Sequence, residues 1–452
     1  HSLYTRRVPG SSPGLPIVLN LAATAARLRG VRSAMNALDV AYGLGAIALS
    51  PLWLRKSRSG WRERMGHVEQ LPPPGDRPRL MIHAVSVGET NALRQLVPML
   101  APHTELIITT GTDTGLARAT ELFASVAHVR RYPLDFSASV DRFLDAVRPD
   151  AVALVELELW PNFIRACAAR AIPVAVINGR LSERSFRGYS RLRPILGSTF
   201  ERLAFAAVQD EHYRERFLHM GVPPERCRIT GSMKWDAATL AEPNATVPGS
   251  EALAGALGID RARPLVVAGS TGPDEESLLH TAMPPGVQLL CAPRKPERFD
   301  EAARAMPGCV RRSSPDRGSP ASGRFLLDTI GELRAAYALA DLVVVGRSFG
   351  RLFGSDPIEP VALGKPTIIG PRFGDFALIV DALRSDNAIR VVDAADLSST
   401  VASLLAAPDV RAAMAAAGRA CIIRNRGATA RHAELLRDLA SEAARRGVDE
   451  RN

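Results

Sequence analysis

Three glutamates stand where apolar runs of the chain end, and these positions suit acid–base chemistry. Glu89 follows the run 80–85, and Glu156 and Glu158 close the run 151–157. Alternation along a strand would place Glu156 and Glu158 on one face. Two carboxylates at a buried sheet end are costly unless they are paired or functional, so we interpret both as site residues. A carboxylate at Glu89 could accept a proton from a sugar hydroxyl.

Four turns that follow apolar runs share one pattern of residues: 86–89, 271–276, 329–332 and 355–359. Each has Ser, Thr or Asp first, Gly or Pro early and an acid near the third position, which is typical of a capped helix N-terminus. An uncovered helix N-terminus also suits a phosphate, so the three turns of the second half predict a nucleotide site. Capping remains an alternative for each turn. At Glu89 the helix end should lower the pKa and leave an ionised, weak base.

Cations are available for an anionic ligand. Lys234 lies in TGSMKWD (230–236), Arg294 and Lys295 stand between two prolines after an apolar run, and Arg180 and Arg184 lie in NGRLSERS (178–185). A solvated surface position is the alternative for each, and we keep it for Arg184. Arg294 is positioned to contact a phosphate.

The elements that must carry these residues alternate between short apolar runs and amphipathic stretches. The runs are 80–85, 106–109, 151–157, 174–178, 204–208, 265–270, 287–293, 325–328, 342–346, 367–370 and 389–392. This alternation predicts parallel sheets covered on both faces. We expect an α/β fold with a doubly wound domain at 76–238, a linker at 239–261, a second doubly wound domain at 262–405 and closing helices at 406–452. Ligands would bind in a cleft between the domains, at strand carboxyl ends.

Composition narrows the class of partner. The 452 residues carry a formal net charge of +10, which favours anionic partners. Aromatic residues make up only 5% and do not interleave with basic runs, so nucleic acid ranks low. An anionic membrane surface or an acidic substrate remains. The five cysteines are scattered and form no CxxC pair, which suits a reducing compartment.

The N-terminal region has the composition of a membrane anchor. Residues 35–54 are largely apolar, and arginines, a lysine and tryptophans surround their end, as expected on the cytoplasmic side. We predict an anchor with a basic flank at 35–60. Asp39 interrupts the apolar run, and a buried core helix is the alternative. We interpret residues 1–34 as a non-native or disordered extension.

The ordered motifs resemble the 3-deoxy-D-manno-octulosonic acid (Kdo) transferases of lipopolysaccharide synthesis. They are WRERMG, HAVSVGE, ELWPN, INGRLSERS, TGSMKWD, AGSTGPDEE, PRKPERF, DTIGEL and PIEPVALGKPTIIGP, between residues 61 and 371. The resemblance implies a GT-B fold and inverting transfer of Kdo from CMP-Kdo to a phosphorylated, lipid IVA-like lipid A precursor. It implies no bound metal or cofactor. It also places the enzyme at the cytoplasmic face of the inner membrane.

Residue roles carried over by the resemblance follow its motifs. Glu89 would be the general base, with Glu156 (or Glu158) and Lys234 as transition-state groups. The implied substrate contacts are Pro293, Arg294, Ile330, Gly331, Glu332, Asp356, Pro357, Ile358, Glu359, Ser270, Thr271, Glu158 and Arg180. The chain has Gly272 and Lys295 where the family usually has histidine, and Phe353-Gly354-Ser355-Asp356 where it has Gly-Gly-His-Asn. Two other functions therefore stay open: transfer from a different nucleotide sugar, and a catalytically silent, membrane-bound glycolipid- or nucleotide-binding paralogue.

Overall fold

The computed structural model describes residues 36, 38–40, 42–44, 59–241, 246–316 and 318–449. They divide into two compact units. Unit 1 contains the described residues up to Asn91, then Leu100–Ile229, then those from Glu434 onward. Unit 2 contains Ala92–Met99 and Thr230–Ala433. Residues 230–238, which the sequence pattern assigns to the first domain, thus group with unit 2.

Unit 1 is built on one parallel sheet of seven strands in the order β3-β2-β1-β4-β5-β6-β7. The strands are β1 (Arg79–His83), β2 (Glu105–Thr110), β3 (Ala127–Arg131), β4 (Ala151–Val155), β5 (Val174–Gly179), β6 (Phe205–Val208) and β7 (Cys227–Ile229). Strands β1 and β4 are buried along their whole length, because helices cover both faces of the sheet. The order of the strands reverses between β1 and β4, which makes their carboxyl ends the switch point of the sheet.

The α-helices between residues 61 and 220 are α1 (Trp61–Arg64), α2 (Val87–Ala92), α3 (Leu96–Leu100), α4 (Asp113–Phe123), α5 (Ser137–Val147), α6 (Pro161–Ala169), α7 (Glu183–Arg191), α8 (Arg193–Glu201) and α9 (Glu211–Met220). The stretch 92–100, which its pattern predicts as one amphipathic helix, lies partly in α2 and partly in α3. Short 3-10 turns occur at Pro224–Arg226, Pro296–Arg298, Pro320–Ser322, Gly374–Phe376 and Ala394–Asp396.

Unit 2 repeats the plan with the order β10-β11-β9-β8-β12-β13-β14, all parallel. The strands are β8 (Leu265–Thr271), β9 (Gln288–Pro293), β10 (Val310–Arg311), β11 (Arg324–Leu326), β12 (Leu342–Val345), β13 (Thr367–Ile369) and β14 (Ile389–Val391). Neighbouring residues Val266 and Val267 belong to two different buried clusters, as alternation across a doubly covered sheet requires. The switch point lies between β8 and β12.

The helices of the second half are α10 (Lys234–Ala237), α11 (Ser250–Leu257), α12 (Glu275–Ala282), α13 (Phe299–Ala305), α14 (Leu333–Leu339), α15 (Ile358–Ala362), α16 (Ala377–Ser385), α17 (Leu397–Ala406), α18 (Pro408–Asn425) and α19 (Ala428–Asp449). The stretch interpreted as a linker contains α11. Its Leu253, Ala254 and Leu257 are buried in the core of unit 2, so this part of the linker belongs to the folded unit.

All of the extension 1–34 and most of the predicted anchor (residues 35, 37, 41 and 45–58) lie outside the described residues. Residues 38–40 and 42–44 are helical, and Asp39 is buried against unit 1. Among the helices that the structure describes, none combines the length and the apolar character that a membrane crossing requires.

Candidate functional site

The switch point of unit 1 brings the three glutamates together. Strands β1 and β4 run side by side, with His83 paired to Leu154, so the segments that follow them leave the same edge of the sheet. Glu89 lies on the segment after β1. Glu156 and Glu158 lie on the segment after β4, here called the carboxylate loop (Glu156–Trp160). The charge of Glu156 acts on Glu89, and the charges of Glu89 and Glu156 act on Glu158, so the two segments place the three side chains close together.

Glu89 forms the capping box that its spacing from Ser86 predicts. Its backbone N–H donates to Ser86 Oγ at 3.4 Å, and Ser86 Oγ donates to Glu89 Oε1 at 2.8 Å. The second carboxylate oxygen, Oε2, accepts the backbone N–H of Val85 at 2.8 Å. The carboxylate is therefore held in one orientation.

The carboxylate loop corrects the expectation that Glu156 and Glu158 share a strand face. Strand β4 ends at Val155, and Glu156 has a φ of 61°, a left-handed conformation that a non-glycine residue seldom adopts. The chain therefore turns at Glu156 instead of continuing its alternation. Glu158 Oε2 accepts a hydrogen bond from Trp160 Nε1 at 3.2 Å. Strain of this kind often accompanies functional sites.

Burial controls the electrostatics of this cluster. It raises the pKa of Glu89, although hydrogen bonds from Val85 and Ser86 oppose the shift. The prediction that the helix end would lower the pKa of Glu89 is therefore wrong, because desolvation outweighs it. Burial, together with the charges of Glu89 and Glu156, raises the pKa of Glu158 to about 7. A carboxyl with such a pKa is poised to exchange a proton near neutral pH.

The other unit 1 candidate, Arg180, follows β5 and hydrogen-bonds the Tyr213 side chain. Beneath the edge of the sheet, His83 is buried and stacks on Tyr132 with ring centroids 3.7 Å apart. Burial lowers the pKa of His83 to about 3, so the imidazole is neutral and serves packing.

At the switch point of unit 2, the acidic side chains of the turn 271–276 accept hydrogen bonds from other groups of the protein. Glu275 accepts the backbone N–H groups of Gly272, Arg347, Ser348 and Phe349 at 2.6–2.9 Å. Glu276 accepts from Thr271 Oγ1 at 2.5 Å and pairs with Arg298 at 2.9 Å. Both glutamates are buried. Glu275 holds the loops after β8 and β12 together, and Glu276 connects the turn to Arg298, which follows β9. Ser270 precedes them with a φ of 57°.

The turn after β9 presents two cations. Pro293 is buried, whereas Arg294 and Lys295 are exposed. The backbone N–H of Arg294 donates to the Thr271 carbonyl at 3.1 Å, which fixes the start of the turn beside β8. The Arg294 side chain is thus available to an anion at this edge.

The turn 329–332 exposes its tip and secures its acid. Ile330 is 75% exposed, and Gly331 has a φ of 96°, which favours glycine. Glu332 accepts a hydrogen bond from Thr329 Oγ1 and pairs with Arg312 at 3.1 Å. The Glu332 carboxylate therefore stabilises the turn, and the exposed backbone at 330–331 is the part open to a ligand. Sequence reasoning missed Arg312, which belongs to no motif.

The segment 355–359 combines buried and open groups. Pro357 and Ile358 are buried, and the Ile358 N–H donates to Asp356 Oδ1 at 2.9 Å. Glu359 lies 3.8 Å from Arg334. Asp356 is exposed as a residue, yet the protein around its carboxyl still raises its pKa, with Lys234 opposing the shift.

Lys234 belongs to unit 2 and lies near this segment. Its Nζ stands 4.6 Å from the centroid of the Phe376 ring, a cation–π distance. Asp236, two residues on, accepts the N–H groups of Gly427 and Thr429 at 2.7 and 2.6 Å. These bonds tie the Lys234 turn to the start of α19. Within the described residues, no group of three His, Cys, Asp or Glu side chains is arranged to hold a metal ion.

Comparisons with known proteins decide the family. A family model described as 3-deoxy-D-manno-octulosonic-acid transferase (Kdo transferase) matches residues 59–237. The Kdo transferase of Bordetella pertussis is 33% identical over 429 residues, covering 88% of this chain and 98% of the relative. The Haemophilus influenzae enzyme is 32% identical over 387 residues, covering 82% and 88%. The chain belongs to the Kdo transferase family.

The solved structure of a glycosyltransferase from Rickettsia africae shares the fold of this chain. It matches with a TM-score of 0.56 and 11% identity, and covers 81% of this chain and 99% of that chain. At that identity the likeness shows the fold alone. The expected α/β architecture of two parallel sheets is confirmed.

The departures from the Kdo transferase pattern fall in unit 2. A Cβ added at Gly272 would lie 3.0 Å from Leu352 Cδ1 and 3.4 Å from Arg347 Cγ, so a larger residue would displace these side chains. Ser355 is buried, and its Oγ has no hydrogen-bond partner in the described part of the chain. At these two positions the chain therefore differs from the family pattern in local packing and in the burial of a hydroxyl group.

Proposed function

We propose that this Kdo transferase moves Kdo from CMP-Kdo to a lipid IVA-like lipid A precursor, with inversion at the anomeric carbon. The observation that carries the proposal is the cluster of Glu89, Glu156 and Glu158 at the switch point of unit 1. Family membership supplies the class of reaction, and the cluster supplies the acid–base groups that the reaction needs.

Glu89 is the proposed base. Its oxygens accept hydrogen bonds from Ser86 Oγ and from the N–H of Val85, and a carboxylate, with about four lone-pair sites, has capacity for a further donor. The acceptor hydroxyl would give its proton to Glu89 as its oxygen bonds to the anomeric carbon. The bond from that carbon to the phosphate oxygen would break, and its electron pair would leave with CMP. A pKa raised by burial makes Glu89 a stronger base than an exposed carboxylate.

Unit 2 is the proposed donor side. The exposed backbone at 330–331 and the Arg294 side chain offer contacts for CMP. Lys234, which lowers the pKa of Asp356, carries positive charge to the same part of unit 2. Cations positioned where negative charge develops on the departing phosphate would stabilise the transition state.

We also propose that the enzyme works on an anionic membrane at the cytoplasmic face of the inner membrane. A net charge of +10 supports attraction to acidic headgroups, and the apolar-then-basic sequence at 35–60 supports anchoring there. The acceptor, a phosphorylated glycolipid, would be found in that membrane.

One experiment tests the donor and the acceptor together. Purified protein is incubated with a lipid IVA-type acceptor and either CMP-Kdo or another nucleotide sugar, and product mass is measured. A mass increase of one or more Kdo units with CMP-Kdo supports the proposal. Transfer from only the other nucleotide sugar would favour the alternative function, a transferase with a different donor. The departures from the family pattern at Gly272 and Lys295 are the observation behind that alternative. No transfer from any donor would favour the silent paralogue.

A further inference from the structure

Asn162 joins several separate parts of unit 1. Its backbone N–H donates to Asp135 Oδ2 at 3.0 Å, and its Nδ2 donates to the Asp135 carbonyl at 2.6 Å and to Asp39 Oδ1 at 3.1 Å. Its Oδ1 accepts from Asn36 Nδ2 at 3.0 Å and from Arg165 Nη2 at 2.8 Å. The residue is only 1% exposed, so the joint is closed to water.

Two of these partners belong to the N-terminal segment, defined here as the described residues between 36 and 44. The segment docks on the beginnings of α5 and α6. Asp39 Oδ1 accepts the Ser137 N–H at 2.8 Å, and Asn36 Nδ2 donates to Ser137 Oγ at 2.8 Å. Tyr42 donates its hydroxyl to Asp135 Oδ2 at 3.2 Å. The segment is therefore fixed by directional hydrogen bonds. Apolar packing alone would not fix its position along α5 and α6 in this way.

The same joint anchors the carboxylate loop. Asn162 lies in the first turn of α6, and the loop ends at Trp160, directly before that helix. Asp135 Oδ1 accepts the Phe163 N–H at 2.8 Å and so caps the helix start together with its bond to Asn162. Glu158 lies four positions before Asn162 in the sequence. Its position therefore depends on the position of the first turn of α6.

Electrostatic effects connect the segment to the site independently of these bonds. The pKa of Tyr189 is raised mainly by burial and, in addition, by the charge of Glu158. The pKa of Tyr42 is raised mainly by burial, then by Asp135 and Asp39, and also by Tyr189. Tyr42 of the segment therefore lies near the surroundings of Glu158.

We infer that the N-terminal segment is a positioning element for the carboxylate loop and acts through Asn162. The inference rests on the proposed function of that loop. Asn36 and Asp39 contact no reacting group in this assignment, so they are positioning residues. Part of the sequence predicted to be membrane anchor thus belongs to the site of unit 1.

The test compares Asp39→Asn with a matched control, Asp150→Asn. The Asp39 carboxylate accepts three N–H donors: those of Ser137 and Asn162 at Oδ1, and the Asn36 N–H at Oδ2 at 2.9 Å. An amide has one accepting oxygen and cannot serve both sites, so the contact of the segment with Asn162 or with its own Asn36 is lost. Asp150 Oδ2 likewise accepts a backbone N–H, that of Arg79 at 2.7 Å, but precedes β4 at its opposite end. We expect Asp39→Asn to lower kcat about 10- to 100-fold with the KM for donor unchanged, since small displacements of a catalytic group cost that much. Asn36→Ala should act in the same direction.

A second measurement reports on the loop without activity. The emission of Trp160, isolated by subtracting the spectrum of a Trp160→Phe background, should change in Asp39→Asn and stay constant in Asp150→Asn. Folded Asp39→Asn protein with wild-type kcat and unchanged Trp160 emission would overturn the inference. Wild-type protein that transfers no Kdo, with emission still responding to Asp39→Asn, would refute the proposed function and leave the positioning supported.

Discussion

Replacing Glu158 by glutamine should remove a loss of stability that the wild-type protein suffers as pH rises. The carboxyl of Glu158 has a pKa of about 7, because burial and the charges of Glu89 and Glu156 disfavour its ionised form. The hydrogen bond from Trp160 lowers the pKa and only partly compensates. Glutamine keeps the shape of the side chain and can still accept that hydrogen bond, but it never ionises.

The size of the effect follows from the two pKa values. An unfolded glutamate titrates at about 4.3, and the step to about 7 corresponds to nearly 4 kcal/mol at about 1.4 kcal/mol per pH unit. Because the side chain retains some exposure, we discount this to about 2 kcal/mol. Between the two pKa values the folded state binds more protons than the unfolded state, so stability falls as pH rises from about 4 to about 7. Above pH 7 the full penalty remains.

The assay is thermal unfolding of wild type and Glu158→Gln across pH. The two melting temperatures should agree near pH 4, and the variant should be higher by about 5 °C near pH 8. Glu225→Gln, at an exposed carboxylate, is the matched control and should follow wild type at every pH. The charges of Glu89 and Glu156 contribute to the raised pKa of Glu158, so part of the gain reports the interaction within the cluster.

A difference in melting temperature that does not change with pH would refute this reasoning. It would mean that Glu158 titrates alike in both states and that the cluster is hydrated. A variant less stable than wild type near pH 8 would also refute it, because the carboxylate would then be favourably paired.

Four further outcomes are expected. Glu89→Gln should lower kcat by about 10² to 10⁴, whereas Ser86→Ala, which leaves only the Val85 N–H to orient the carboxylate, should cost about 1 kcal/mol of stability and lower kcat less than Glu89→Gln does. Normal turnover in Glu89→Gln would exclude it as the base. Arg312→Ala should raise the KM for donor about tenfold by loosening Glu332, and an unchanged KM would contradict a donor contact at that turn. EDTA should leave activity intact, since cations and backbone N–H groups serve the phosphate, and metal-dependent recovery after EDTA would refute this. Removing residues 1–34 should preserve kcat, while removing 1–44 should lower it; equal activity of both truncations would contradict a role for the N-terminal segment.

The strands at the centre of each sheet and the edge strand β14 could be predicted from the sequence, whereas β3, β7 and β10 at the other edges could not. Runs such as 265–270 and 342–346 are continuous and apolar because both faces of these strands are covered. Strand β3 reads AHVRR and carries three basic residues at an edge, where one side of the backbone has no partner strand. Strands β7 and β10 span three and two residues, too few to show a period.

The identity of the site residues was more predictable than their electrostatics. Position after an apolar run placed the candidates Glu89 and Glu158 at one edge of the sheet, because such runs end where the carboxyl ends of parallel strands meet. The direction of the Glu89 pKa shift depends on how much protein surrounds the carboxyl, which is a tertiary property. The turn at Glu156 could not be predicted from the sequence either, since no local sequence pattern indicates that a glutamate adopts a φ of 61°. Arg312 reaches Glu332 through the pairing of β10 with β11, which the sequence did not reveal.

Helix capping and catalysis, treated above as alternatives for Glu89, are compatible in this structure. A general base must be oriented before the acceptor arrives, and the capping box supplies that orientation through Ser86 and Val85. Hydrogen bonds to a carboxylate lower its pKa and weaken the base, yet burial and the nearby charge of Glu156 act in the opposite direction and prevail. Fixed geometry and adequate basicity thus come from different sources. The capping box alone would give an oriented but weak base, and burial alone would give a stronger base without a fixed direction.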